Sequence, residues 1–124
     1  MKKKLLAFAA ILVFHAGAIA ADFVDDVKQF RATNKDASAD ISEIAKKYIA
    51  VGQTKEMVER YLTAQKFSLN YQPIAADQSQ TLVATHVEKS LAGSIGFHDE
   101  LRVIVVFENG LARSVSSKLI YRAL

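Results

Sequence analysis

The sequence predicts an α+β fold, with two or three N-terminal helices packed on one face of a three- or four-stranded antiparallel sheet. Three observations carry this. Apolar residues between positions 22 and 65 recur with the 3.6-residue period of a helix. Beyond Phe67 the period changes to 2, the alternation of strands. Asn109-Gly110 stands between the last two alternating runs and signals a hairpin, hence antiparallel pairing.

Each element has a local cause. In residues 22–33, Phe23, Val27 and Phe30 share one helical face, and Asp22, Asp25 and Asp26 suit the positive end of the helix dipole. Residues 34–39 are polar and read as a linker. Over 41–50, Ile41, Ile44, Ala45, Tyr48 and Ile49 give a full helical stripe. Asp40 and Glu43 have the spacing of a capping box, and Gly52 ends the helix. Thr54 then caps a helix over 55–65, with Met57, Val58, Tyr61 and Leu62 on one side. Strands follow at 67–71, 81–88, 101–107 and 111–121, with 90–99 read as a loop. A two-residue hairpin loop sets Val105 against Ser114 and Val103 against Ser116. A three-residue loop, Glu108-Asn109-Gly110, sets Phe107 against Leu111 and Val103 against Val115. Register follows burial, which favours the longer loop and leaves Arg113 as a misfit on the apolar face.

The first twenty residues form a unit of another kind. Lys2, Lys3 and Lys4 precede an apolar run, Leu5 to Phe14, and Ala18-Ile19-Ala20 has the small-x-small pattern of a leader cleavage site. The expected cut lies between Ala20 and Ala21. The competing reading is a leader that stays attached as an anchor. The run is short for a membrane span, and no Cys follows it to carry a lipid. The expectation is release into the periplasm with no membrane anchor after processing. The division is then 1–20 signal peptide, 21–39 N-terminal helix and linker, and 40–124 the α+β domain.

Removing the leader changes the charge balance. The full chain has 16 Lys and Arg against 13 Asp and Glu. Three of the lysines leave and no acid does, so the mature chain is neutral. Its composition offers no basic face for nucleic acid. The complete absence of cysteine excludes disulfides, thiol catalysis and iron–sulfur ligation.

The stretch Gly52-Gln53-Thr54-Lys55-Glu56-Met57-Val58, with Leu62 and the later Val105-Val106-Phe107-Glu108-Asn109-Gly110-Leu111, resembles the SmpA/OmlA (BamE-like) family. That family has a G-x-T-x-x-x-V turn opening a helix and a V-x-F-x-x-G-x-V hairpin closing a sheet. The related β-lactamase-inhibitor-protein fold has a similar layout. The resemblance spans about residues 40–118. It implies a protein-binding scaffold or inhibitor. The chain departs from the family in lacking the lipobox Cys, and in reading Gln65-Lys66-Phe67 where Gly-x-Pro often stands.

For chemistry, His98-Asp99-Glu100 is the densest group of acid, base or metal-ligand residues, and His86 is the other mature histidine. A metal-assisted reading uses His86, His98 and Glu100. It requires convergence that adjacent residues of an extended chain do not give. The competing reading is a solvated loop, with His86 as a cross-strand partner beside an aromatic. The sequence has no nucleophile elbow, phosphate loop or dinucleotide fingerprint, and nothing in it points to a cofactor. Leu91, Ile95 and Phe97 offer an apolar contact loop, or else a cover for the core. Arg102, Lys118 and Arg122 fall on the solvent-side parity of the last hairpin, as a basic patch or a solvated face. The expected function is a non-enzymatic protein–protein interaction module in the envelope, with another exported protein as partner. The alternatives are an inhibitor or immunity protein and a small metal-assisted enzyme.

Overall fold

The computed structural model describes residues 22–89 and 97–123. The fold is α+β. Its elements are α1 (Phe23–Thr33), β1 (Ser38–Asp40), α2 (Ser42–Ala45), α3 (Lys55–Ala64), β2 (Ser68–Tyr71), β3 (Gln80–Lys89), β4 (Phe97–Glu108) and β5 (Leu111–Ala123). The five strands form one antiparallel sheet in the order β1-β5-β4-β3-β2.

α3 begins where the sequence places its cap, whereas Asp22, expected within the first turn, stands just before α1 as its cap. Asp22 caps α1, its Oδ1 accepting from the Asp25 N–H, and Thr54 caps α3, accepting from the Met57 N–H. Gly52 has φ +97°, a conformation that side-chain-bearing residues rarely adopt. α1 is fixed along its length: Phe23, Val27 and Arg31 are buried, and Phe23 stacks on Phe67 with centroids 5.8 Å apart.

Several expectations need correction. The sheet has five strands, because the end of the supposed linker is β1: Ser38, Ala39 and Asp40 pair with Ile120, Leu119 and Lys118. A three-residue strand carries too few residues for a period to register. The helix expected over 41–50 is a four-residue α-helix followed by irregular turns, its carbonyls taking N–H groups at both i+3 and i+4. The Asp40 side chain accepts from the Ser42 N–H, but no capping box forms. Met57, expected on the buried side of α3, is 50% exposed. Residues 97–99, read as loop, open β4.

The final hairpin departs from both registers the sequence allowed. Its loop has two residues, Asn109 (φ 56°) and Gly110 (φ 78°), the left-handed pair of a tight I′ turn. Phe107 therefore faces Ala112. A bulge then shifts the register, so that Val106 pairs with Ser114 and Val105 with Val115. Arg113 is the extra residue. The bulge brings Val115 and Leu119 to the core as the longer loop was expected to, but Ala112 takes the place expected of Leu111, and Leu111 and Arg113 stay exposed.

One continuous apolar cluster results. It joins Phe23 and Val27 of α1, Ile41, Ala45 and Ile49 around α2, Val58 and Leu62 of α3, and Leu82, Leu101, Val103, Val105 and Leu119 of the sheet. Among the large side chains less than 2% exposed is that of Arg31, alongside Phe23, Ile41 and Leu62.

Candidate functional site

The strand positions that alternate with the core define the second face of the sheet. By register, Thr81, Val106 and Ser114 form one row across β3, β4 and β5. Val83, Ile104 and Ser116 form the next, then Thr85, Arg102 and Lys118, then Val87, Glu100 and Ile120. Val83, Val87, Ile104, Val106 and Ile120 neither belong to the core cluster nor pack against it among the described residues. Val87 is 48% exposed. The three long strands alone give this face roughly 500 Å² at ordinary strand spacing and rise.

Charge is concentrated in one row. Arg102 and Lys118 stand directly across from one another, and Asp40 of β1 follows Lys118. Arg102 donates from Nε and Nη2 to one oxygen of Glu100, at 3.1 and 2.5 Å. Hydrogen bonds from Ser42 hold the exposed Asp40 carboxyl below its ordinary value. Asp40, Ser42, Arg102, Ile104, Ser116 and Lys118 border a hollow of about 150 Å³. Further along, Lys89, His98 and Arg122 occupy successive backbone positions in one row.

The dense cluster His98-Asp99-Glu100 is divided between the two faces. Asp99 points into the core, 0% exposed, and accepts from Arg31 Nη2 at 2.8 Å. Nη1 of Arg31 donates to the carbonyls of Asn34 (2.9 Å) and Asp36 (2.7 Å), and its guanidinium lies 5.8 Å from the Tyr121 ring centre. One buried side chain thus ties α1 to the segment leading into β1, to β4 and to β5. Sequence reasoning missed this pair. Arg31 lies one residue off the Phe23, Val27 and Phe30 stripe and reads as solvated, although it falls i+4 from Val27.

His86 lies on the core side, where its ring is 5.4 Å from Phe67. Its Nε2 lies 2.7 Å from Glu88 and its Nδ1 3.2 Å from the Lys66 carbonyl. The structure therefore does not bring His86 together with His98 and Glu100, which take the opposite parity. Among the described residues no three His, Asp or Glu side chains are placed to hold a metal ion. Leu91 and Ile95 lie outside the described residues, as do Ala20 and Ala21. Phe97 opens β4 across from Ala123.

The two short motifs that carried the resemblance meet in space. The Gly52 N–H donates to the Ala112 carbonyl and the Ala112 N–H to the Gln53 carbonyl, both at 2.8 Å. The Lys55 N–H donates to Gly110 at 2.9 Å, and Thr54 bridges to Leu111. Gly52 and Thr54 are thereby clipped to the hairpin tip at Asn109-Gly110. Among the described residues no helix is long and apolar enough to cross a membrane. No family model, curated protein or solved structure matches this chain.

Proposed function

We propose that this protein is an exported, non-enzymatic binding module of BamE-like layout. In this reading the three helices cover one face of the sheet and the other face engages a partner protein in the envelope. The observation that carries it is the set Val83, Val87, Ile104, Val106 and Ile120, which are apolar, in register, and outside the core cluster. Five apolar side chains set among polar and charged ones on a face outside the core cluster make the mixed surface typical of protein–protein interfaces. With β1 and β2 added the face reaches roughly 600 Å², the low end of specific interfaces at about 600 Å² per partner.

The charges specify the partner's chemistry. Glu100 already engages Arg102, whereas Lys118 stands exposed beside it and the row of Lys89, His98 and Arg122 lies beyond. A complementary surface has an apolar centre and carboxylates opposite Lys118. Such rim charges steer association and set specificity more than they add affinity. The export half of the proposal rests on Lys2 to Lys4, the Leu5 to Phe14 run and Ala18-Ile19-Ala20.

The test is site-directed photo-crosslinking in cells. A crosslinker at 104, 106 or 116 is expected to trap one defined partner, one at 43 or 63 on the exposed helix surfaces is not, and Lys118→Glu is expected to weaken the adduct. Equal adducts from both surfaces, or none from the sheet face, would refute the assignment of the face. Recovery of the full-length chain from the cytosol would refute export.

A further inference from the structure

We propose that the cleft between α1, the end of α3 and β3 seats the chain's own amino terminus once the leader has been removed. The inference rests on the export reading, because it requires a chain that starts at Ala21. The cleft has a volume of about 240 Å³, and its polar lining comprises Asp22, Asp25, Lys28, Gln65, His86 and Glu88. Lys66 also lines it.

Most of these groups are already matched. Glu88 receives Lys28 at 3.3 Å and His86 at 2.7 Å. Asp22 takes the Asp25 N–H as the helix cap. Two acceptors remain. The Asp25 carboxylate makes no ion pair among the described residues. The Oε1 of Gln65 is buried and finds no donor among them. A buried carbonyl oxygen without a donor is costly, so Gln65 Oε1 is an acceptor open to an N–H brought into the cleft.

The cut between Ala20 and Ala21 would supply one. It leaves a single residue before Asp22, itself part of the lining, so the new α-ammonium lies within one residue's reach of the cleft. An ammonium brings a positive charge and three N–H donors. An uncut leader offers one neutral amide at the same place. The helix dipole opposes a cation here, and Asp22, Asp25 and Asp26 in and before the first turn offset it. Removal of the leader would in this way complete the polar pairing that fixes the start of α1.

The experiment compares two otherwise identical chains beginning at Ala21, one with a free amino terminus and one Nα-acetylated, by thermal unfolding at pH 6. The free form is expected to melt about 3–5 °C higher, the shift a modest local interaction gives a domain of this size. The gap should shrink by at least half in Gln65→Met. Should Gln65→Met fold poorly, the exposed Asp25→Asn serves the same purpose. Equal melting of the two forms, or a gap that neither substitution changes, overturns the proposal. N-terminal sequencing of protein recovered from cells separates the two levels. A start at Ala21 with equal melting overturns only the docking, whereas a retained leader overturns the export reading and the docking with it.

Discussion

Deleting either member of the buried Arg31–Asp99 pair is expected to destabilise the fold severely and unequally. Both side chains are essentially inaccessible, at 1% and 0% exposure, so whichever remains is left as a buried charge. Breaking such a pair costs ~3–5 kcal/mol. The structure places the two substitutions at opposite ends of that range. In Asp99→Leu the guanidinium keeps two carbonyl acceptors, at 2.9 and 2.7 Å, and the Tyr121 ring. In Arg31→Met the carboxylate loses its one hydrogen-bond donor among the described residues, since Oδ2 already lacks one, and the carbonyls of Asn34 and Asp36 lose theirs. Asp99→Leu should therefore cost ~3 kcal/mol and Arg31→Met ~5 kcal/mol. The double variant removes both charges and should recover ~2–3 kcal/mol relative to the sum of the singles. Urea denaturation at pH 7, followed by circular dichroism, measures the cycle. Additive losses within ~0.5 kcal/mol, or equal single losses, would show that the pair does not couple α1 to the sheet as argued.

Three further outcomes follow from the geometry. Gly52→Ala should cost ~1–2 kcal/mol, seen as a lowered Tm, because φ is +97° while a Cβ there meets nothing within 4 Å; the loss is conformational rather than steric. At Glu88 burial raises the carboxyl's affinity for its proton, but hydrogen bonds from His86 and Lys28 outweigh it and hold the group below its ordinary 4.5. Its contribution is thus complete above pH 4.5 and is lost as pH falls through the depressed value, so Glu88→Gln should lose less stability than the parent in acid melts. Burial and the nearby Asp22 and Asp26 push the Tyr61 hydroxyl up from 10 to about 12, against the Phe23 N–H it accepts. Its contribution is complete below pH 10 and disappears as pH rises towards 12, so phenolate absorbance should appear together with loss of helix signal, and Tyr61→Phe should blunt that coincidence.

What was legible in the sequence had a period or a backbone signature. The α+β class, the cap at Thr54, the corner at Gly52 and the long strands followed from spacing and from residues with one favoured role. What was not legible depended on partners distant in the chain. β1 exists because Ser38–Asp40 meet β5 some eighty residues later, and nothing in three polar or small residues announces that. The segment 41–50 has a good helical stripe, yet its turn is drawn onto β5: the Ile41 N–H donates to the Ser117 carbonyl and the Ser117 N–H to the Ser42 hydroxyl. Tertiary hydrogen bonds overrode local propensity there. Asp99 was visible only as part of a charged triplet. Strand alternation sent it inward to Arg31 and its two neighbours outward, so the triplet was never one site.

Arg113 shows how a residue that looks misplaced determines the candidate binding face. With the two-residue loop and no bulge, Ala112 stays opposite Phe107, but Ser114 and Ser116 turn inward against Val105 and Val103, while Val115 and Leu119 turn out to solvent. Inserting Arg113 as an unpaired residue restores Val105 to Val115 and Leu101 to Leu119. The same shift carries Ser114, Ser116, Lys118 and Ile120 to the second face, where Lys118 meets Arg102 and Ile120 meets Glu100. Core and candidate binding face are therefore two results of one register choice. Deleting Arg113 removes only the unpaired residue: Ala112 then joins Ser114 directly, the pairs from Phe107–Ala112 to Leu101–Leu119 are all kept, and crosslinking from position 116 and cooperative unfolding should both persist. Loss of either one after the deletion would show that Arg113 does more than take up the register shift.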